Sequence, residues 1–99
     1  MDKHREARER IEAMEKALVA AESKGPPRDP DSKAVALMLR RGAERERRYL
    51  THVSNDVESD GLLWRAGVVE SRADELFEAG ETGVSAEDFA ARIAAREAP

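Results

Sequence analysis

Two separate stretches of this chain place small and apolar residues at steps of 4, 3, 4 and 3. In the first they are Ala7, Ile11, Met14, Leu18 and Ala21; in the second, Leu62, Ala66, Val69, Ala73 and Leu76. A β-strand would need alternation with a period of two, and no stretch of useful length shows it. A seven-residue period instead keeps one narrow stripe of an α-helix turned toward a neighbouring helix. The sequence therefore predicts an all-α protein, with three to four helices in a small, marginally stable bundle or an extended helical assembly.

The first predicted helix covers 3–24, rich in alanine, glutamate, arginine and lysine, all good helix formers. Glu6–Arg10 and Glu12–Lys16 are favourable pairs four residues apart. Its seam has two uses that the sequence leaves open. Ile11, Met14 and Leu18 can pair with a second copy, helped by the 62–76 face, or they can face a core within the chain. Gly25-Pro26-Pro27 ends the helix, and Asp31 or Ser32 is expected to cap the next. That second helix is predicted over 33–54, with its most buried turn at KAVALMLRR. Its stripe is Val35, Leu39, Ala43, Leu50 and Val53, interrupted at Glu46. Gly42 within it marks a bend or a close helix crossing. SNDVESDG, residues 54–61, reads as an acidic loop. A third helix follows over 62–79, with Trp64, Val68 and Phe77 widening its apolar face and Gly80 and Gly83 ending it. By this reading the chain divides into a charged amphipathic helix (1–25), a Pro-rich linker (26–32) and a helical region (33–99) that ends in a docking arm.

The arm is GVSAEDFAARIAAREAP. Ser85 is expected to cap a helix starting at Ala86, with Asp88 at the third position. Val84 and Phe89 occupy the two positions of a hydrophobic staple. A helix of about ten residues is unstable alone in water, so Phe89 and Ile93 must enter an apolar groove. That groove belongs either to a partner or to this chain's own helices.

Composition limits what such a chain can be. Ninety-nine residues is one domain at most. Only 18 of them are Leu, Ile, Val or Phe, and 38% are charged, so little can be buried and a partner is expected. There is no cysteine, hence neither a disulfide framework nor a thiolate metal site. MDKHREARER is charged and unlike a signal peptide, and no apolar run has the length of a membrane span. A cytoplasmic location without membrane contact is expected. Residues 1–50 carry a net charge of +3 and residues 51–99 a net of −7, which suggests a basic partner for the second half.

Motifs for chemistry are absent. His4 and His52 lack ligand partners at metal spacing and are expected to be solvated. No phosphate loop or nucleophile context occurs, so neither an enzyme nor a cofactor is expected. Arg40, Arg41, Arg45, Arg47 and Arg48 could touch nucleic-acid phosphates. Glu44 and Glu46 among them point to weak or no binding, with a solvated helix face as the other reading.

The stretch ADELFEAGETG followed by VSAEDFAARIAAR resembles the toxin-binding tails of small bacterial antitoxins of the ParD and RelB-like kind. The matching positions are Leu76, Glu78, Gly80, Glu81 and Gly83, then Phe89, Arg92 and Ile93. The resemblance covers residues 70–96; the N-terminal half shares none of that family's ribbon-helix-helix pattern. It implies a small helical inhibitor or escort that neutralises a basic partner protein, a toxin. In that reading Trp64, Leu76, Phe77, Val84, Phe89 and Ile93 anchor the partner, and Glu78, Glu81 and Glu87 meet its basic groups beside Arg92. Two other readings stand beside it: a DNA-associated regulator acting as a helical homodimer, and a structural helical assembly protein.

Overall fold

A computed structural model describes residues 4–53 and 56–98. The chain is all-α: α1 spans Arg5–Ser23, α2 Pro30–Val53, α3 Val57–Glu81 and α4 Ala86–Glu97. Lys3, Ser54, Asn55 and Pro99, which the sequence reading assigns to the first helix, the loop and the arm, lie outside the described residues. None of the helices is long and apolar enough to cross a membrane.

Local chemistry sets the helix ends, and in two places it overrides the sequence reading. α2 begins three residues early because Asp29, not Asp31 or Ser32, is the cap. Its carboxylate accepts the Ser32 amide and the Ser32 hydroxyl, each at 2.8 Å. Pro30 follows at the first helical position, where its missing N–H costs nothing. The same bonds, the amide first, hold the Asp29 carboxyl below its ordinary pKa. The expected loop 54–61 is likewise largely helix. Asp56 accepts the Ser59 amide at 2.8 Å and so starts α3 at Val57. Glu58 and Asp60 then sit in the first turn, where negative charge is favoured by the exposed N–H groups.

Glycine plays different roles along the chain. Gly80 does not end α3, which continues to Glu81. A Cβ at Gly80 would lie 2.2 Å from the Pro27 carbonyl oxygen; the residue is small because the connection after α1 crosses it. Gly83 does end the helix, at φ +74°, and the Val84 amide returns to the Ala79 carbonyl at 2.9 Å, the closure of a Schellman turn. Pro26 and Pro27 are buried, and Arg28 donates to the Val84 carbonyl at 3.1 Å. The Pro-rich segment is thus a strap packed over the α3–α4 turn.

Ion pairs fix the directions of the three long helices. Arg8–Glu58, Glu15–Arg65 and Glu22–Arg72 join α1 to α3. All three pairs share one sequence offset, and each helix advances seven residues between them, so α1 and α3 run parallel in register. Lys33–Glu81, Arg40–Asp74 and Arg47–Glu70 join α2 to α3 in the opposite sense. The bundle is up-down-up. His4, expected to be solvated, is buried beneath the start of α3, its Nε2 3.2 Å from Asp56 Oδ2.

The α3 seam is buried as its spacing predicts, with Leu62, Ala66, Val69, Ala73 and Leu76 all inside. In α1, Ile11 and Leu18 are fully enclosed by the chain's own helices and Met14 partly so. Of the two uses the sequence leaves open for Ile11, Met14 and Leu18, the seam takes the internal one here, and it is not free to pair with a second copy in this form. In α2 the buried stripe is Ala36, Leu39, Ala43, Glu46 and Leu50; it keeps Leu39, Ala43 and Leu50 of the expected one, with Ala36 inside instead of Val35 and Glu46 enclosed rather than interrupting it. Val35 and Val53 are exposed. A reading weighted by side-chain size favours valine. The close α2–α3 contact instead selects alanine, because single methyl groups let two backbones approach.

The glycines separate by their surroundings, and this can be checked by chemical denaturation. Gly61 and Gly67 lie inside α3 with open space where a Cβ would go. Gly61→Ala and Gly67→Ala should each raise stability by about 0.5–1 kcal/mol. Gly80→Ala should lower it by about 1–3 kcal/mol, through collision with the Pro27 backbone.

Candidate protein-binding surfaces

The C-terminal arm shows how a short helix acquires a fixed place. Ser85 accepts the Asp88 amide at 3.1 Å, so α4 begins at Ala86. Phe89 is 1% exposed and belongs to the core formed by Leu18, Val69 and Leu76, with Val84 and Ile93 packed at its edge. The groove that receives the arm lies on this chain's own α1 and α3. Beside it, Glu22 is buried with its side chain 5% exposed. Both of its oxygens are taken by Arg72, and Arg96 of α4 adds a bond at 3.2 Å while reaching Glu75 at 3.1 Å. Hydrogen bonding to Glu22 is the main cause that raises the Arg72 pKa, as Glu46 does for Arg10 and Glu15 for Arg65. A carboxylate this enclosed requires such partners. The Glu22 cluster therefore reads as a clamp on α4.

This arrangement divides the residues expected to meet a partner. Leu76 and Phe89 are inside the core and are not offered to another protein in this form, which corrects their assignment. Spacing shows that such a stripe must be covered, but not by what. Phe77, Val84 and Ile93 are half-buried, Phe77 beneath the Arg40 guanidinium at 5.8 Å. Trp64, Glu78, Glu81 and Arg92 remain exposed, with Glu81 bridged to Lys33 at 3.5 Å. Trp64 is 72% exposed and Val57, one heptad earlier, 88%. Ser71 and Glu78 continue at the same seven-residue step. The outer ridge of α3 is thus apolar at its start and acidic toward its end.

The arginine cluster is largely neutralised within the fold. Arg40 bonds Asp74 at 2.7 Å, Arg47 bonds Glu70 at 3.2 Å and Arg48 bonds Glu44 at 2.6 Å. Arg41 and Arg45 are exposed and have no acidic partner among the described residues. No trio of His, Cys, Asp or Glu among those residues is placed to hold a metal ion.

A second surface was not singled out from the sequence. Between α1 and α2 runs a cleft of about 540 Å³ with Met14, Leu39 and Gly42 at its base and Val35 and Met38 at its mouth. Met38 is 68% exposed. Gly42 supplies the expected close crossing, since a Cβ there would be 3.1 Å from Met14 Sδ. The signal for this surface is present in the sequence. Val35, Met38, Gly42, Arg45 and Tyr49 step by 3, 4, 3 and 4, a second seam displaced by one residue from the buried one. No protein family, curated protein or solved structure matches this chain significantly, so the two surfaces stand on their own chemistry.

Phe89→Ala is expected to cost the isolated chain about 3–5 kcal/mol, the range for a large side chain deleted from a core. Glu22→Ala should cost about 1–3 kcal/mol by leaving Arg72 without its carboxylate and Arg96 with Glu75 alone. It should also accelerate hydrogen exchange in α4 more than in α3. An unshifted unfolding midpoint for Phe89→Ala would show that the arm is not docked in the free protein.

Proposed function

We propose that this chain is a helical protein-binding module of the inhibitor or escort class, antitoxin-like over residues 70–96, that neutralises a basic partner protein. The observation that carries the reading is Trp64. A tryptophan left 72% exposed, with an exposed Val57 two turns before it on the same helix, in a chain that buries Phe89, leaves apolar surface without cover. Apolar patches of that kind mark interaction sites, and tryptophan is among the residues that most often dominate binding energy. The acidic balance of residues 51–99 supports a basic partner, with Glu78 on the α3 ridge and Glu87 on the first turn of α4 both exposed. Their charge would chiefly speed association and set orientation, while Trp64 would supply the affinity.

The DNA-associated reading is weaker on the same surface chemistry. Of the five arginines, Arg41 and Arg45 lack an acidic partner among the described residues, so a single chain could neutralise about two phosphates. The logarithmic salt dependence would then have a slope of about −2.

Trp64 is the only tryptophan in the chain, so its fluorescence reports on this surface alone. Trp64→Ala should leave stability within about 0.5 kcal/mol of the parent. It should weaken capture of a basic partner from the source cell by about 2 kcal/mol or more, the hot-spot range. Addition of that partner to the parent chain should shift the Trp64 emission to the blue. Capture that is indifferent to Trp64→Ala and to Glu78→Lys would contradict the reading.

A further inference from the structure

α2 carries two seams, and the fold covers only one of them. The buried seam, Ala36 to Leu50, faces α3 and α1. The displaced seam, Val35 to Tyr49, forms one wall of the α1–α2 cleft, with α1 as the other. Toward the end of α1 the cleft runs on between Ala17 and Ala20 on one side and Val35 on the other, as far as Lys24. From Arg10 to Lys24 the α1 wall extends about 21 Å at 1.5 Å per residue, room for a helix of about 14 residues. A seam of this spacing is what a further helix packs against.

The charges around the cleft identify its occupant. Arg45 lines it and Arg41 lies one turn away on α2; neither has an acidic partner among the described residues. Lys16, exposed on α1 between Ala13 and Ala20, and Lys24 at the far end add positive charge without an ion pair among those residues. The one acid lining the central part, Glu46, is consumed by a two-point bond from Arg10. Arg10 also lies over the Tyr49 ring at 5.8 Å and closes that end. The result is an apolar trough with a basic rim. A second copy of this chain fits it poorly: a two-fold axis near Gly42 would gather Arg41 and Arg45 of both copies on one short contact, an unfavourable meeting of like charges. We propose that the α1–α2 cleft binds an acidic amphipathic helix of another protein. Its apolar stripe seats against Val35, Met38 and Met14, and its flanking carboxylates meet Arg41, Arg45 and Lys16. This site is separate from the Trp64 ridge and has the opposite charge preference.

The test uses the full chain and two synthetic helical peptides of about 14 residues, the length set by the trough. Both carry leucine at heptad spacing; one has glutamate and the other lysine at the flanking positions. The acidic peptide is expected to bind at micromolar concentration and the basic one at least tenfold more weakly. Met38 and Val35 are exposed, so Met38→Asp and Val35→Asp should keep the fold, checked by circular dichroism, and each should weaken the acidic peptide tenfold or more. Arg45→Glu should weaken it several-fold and flatten its salt dependence, while Trp64→Ala should leave it unchanged. A loss with Trp64→Ala instead would place the peptide on the α3 ridge and overturn the cleft. Absence of binding, equal binding of the two peptides, or indifference to Met38→Asp would overturn it as well. So would a chain that doubles its mass in solution and loses the dimer on Met38→Asp, because the occupant would then be a second copy.

Discussion

Three helices can share one core along their whole length only if their apolar stripes drift around each helix at the same rate. Here all three step by seven residues. Ile11 and Leu18 in α1, Ala36 and Ala43 in α2, and Ala66 and Ala73 in α3 are heptad repeats, and all six are buried. The alanines let α2 and α3 come together closely, and α1 then lies along the pair. Every other feature follows from that common period, including the ion-pair ladders beside the seams, the strap that crosses Gly80 and the groove that receives Phe89.

The ladders do different work from the core. Exposed pairs such as Arg8–Glu58 contribute about 0.2–1 kcal/mol each, far less than a buried Leu or Ile side chain at about 1.5–3 kcal/mol. Their value lies in register. A slip of α1 by one heptad along α3 would set Arg8 beside Arg65 or Glu15 beside Glu58, so like charges meet in the wrong alignment. Glu22 and Glu46 go further, because they are enclosed and hydrogen-bonded by Arg72 and Arg96 and by Arg10 respectively. These two residues fix how α4 and α2 sit against α1. The surface left over has two characters: an acidic ridge with an exposed indole, and a basic trough with an exposed thioether.

Much of this was legible in the residues. The α1 and α3 seams, the Ser85 cap and the start of α4 at Ala86 follow from spacing and hydrogen-bonding capacity alone. The α2 stripe holds at Leu39, Ala43 and Leu50 and fails at its start, where hydrophobicity favours Val35 over Ala36, although only the smaller residue permits the close contact with α3. Turn-forming residues across 54–61 suggest a loop, and the Asp56 cap draws 57–61 into a helix. Sequence spacing also shows that Phe89 and Ile93 need a groove without showing whose. Here the groove is internal, and the apolar surface left uncovered lies at Trp64 and along the second seam of α2. That seam was hidden by standing one residue from the first.

The claim on which the account rests is that the three seams close on one another within a single chain, with α1 parallel to α3. The protein contains no cysteine, so a pair can be introduced without interference. Cysteines at Glu15 and Arg65, treated with a short thiol-reactive crosslinker at low protein concentration, should join rapidly within one chain. The pair Glu15 and Arg72, one heptad out of register, should join far more slowly. Dominant crosslinking between chains, or equal rates for the two pairs, would contradict the account.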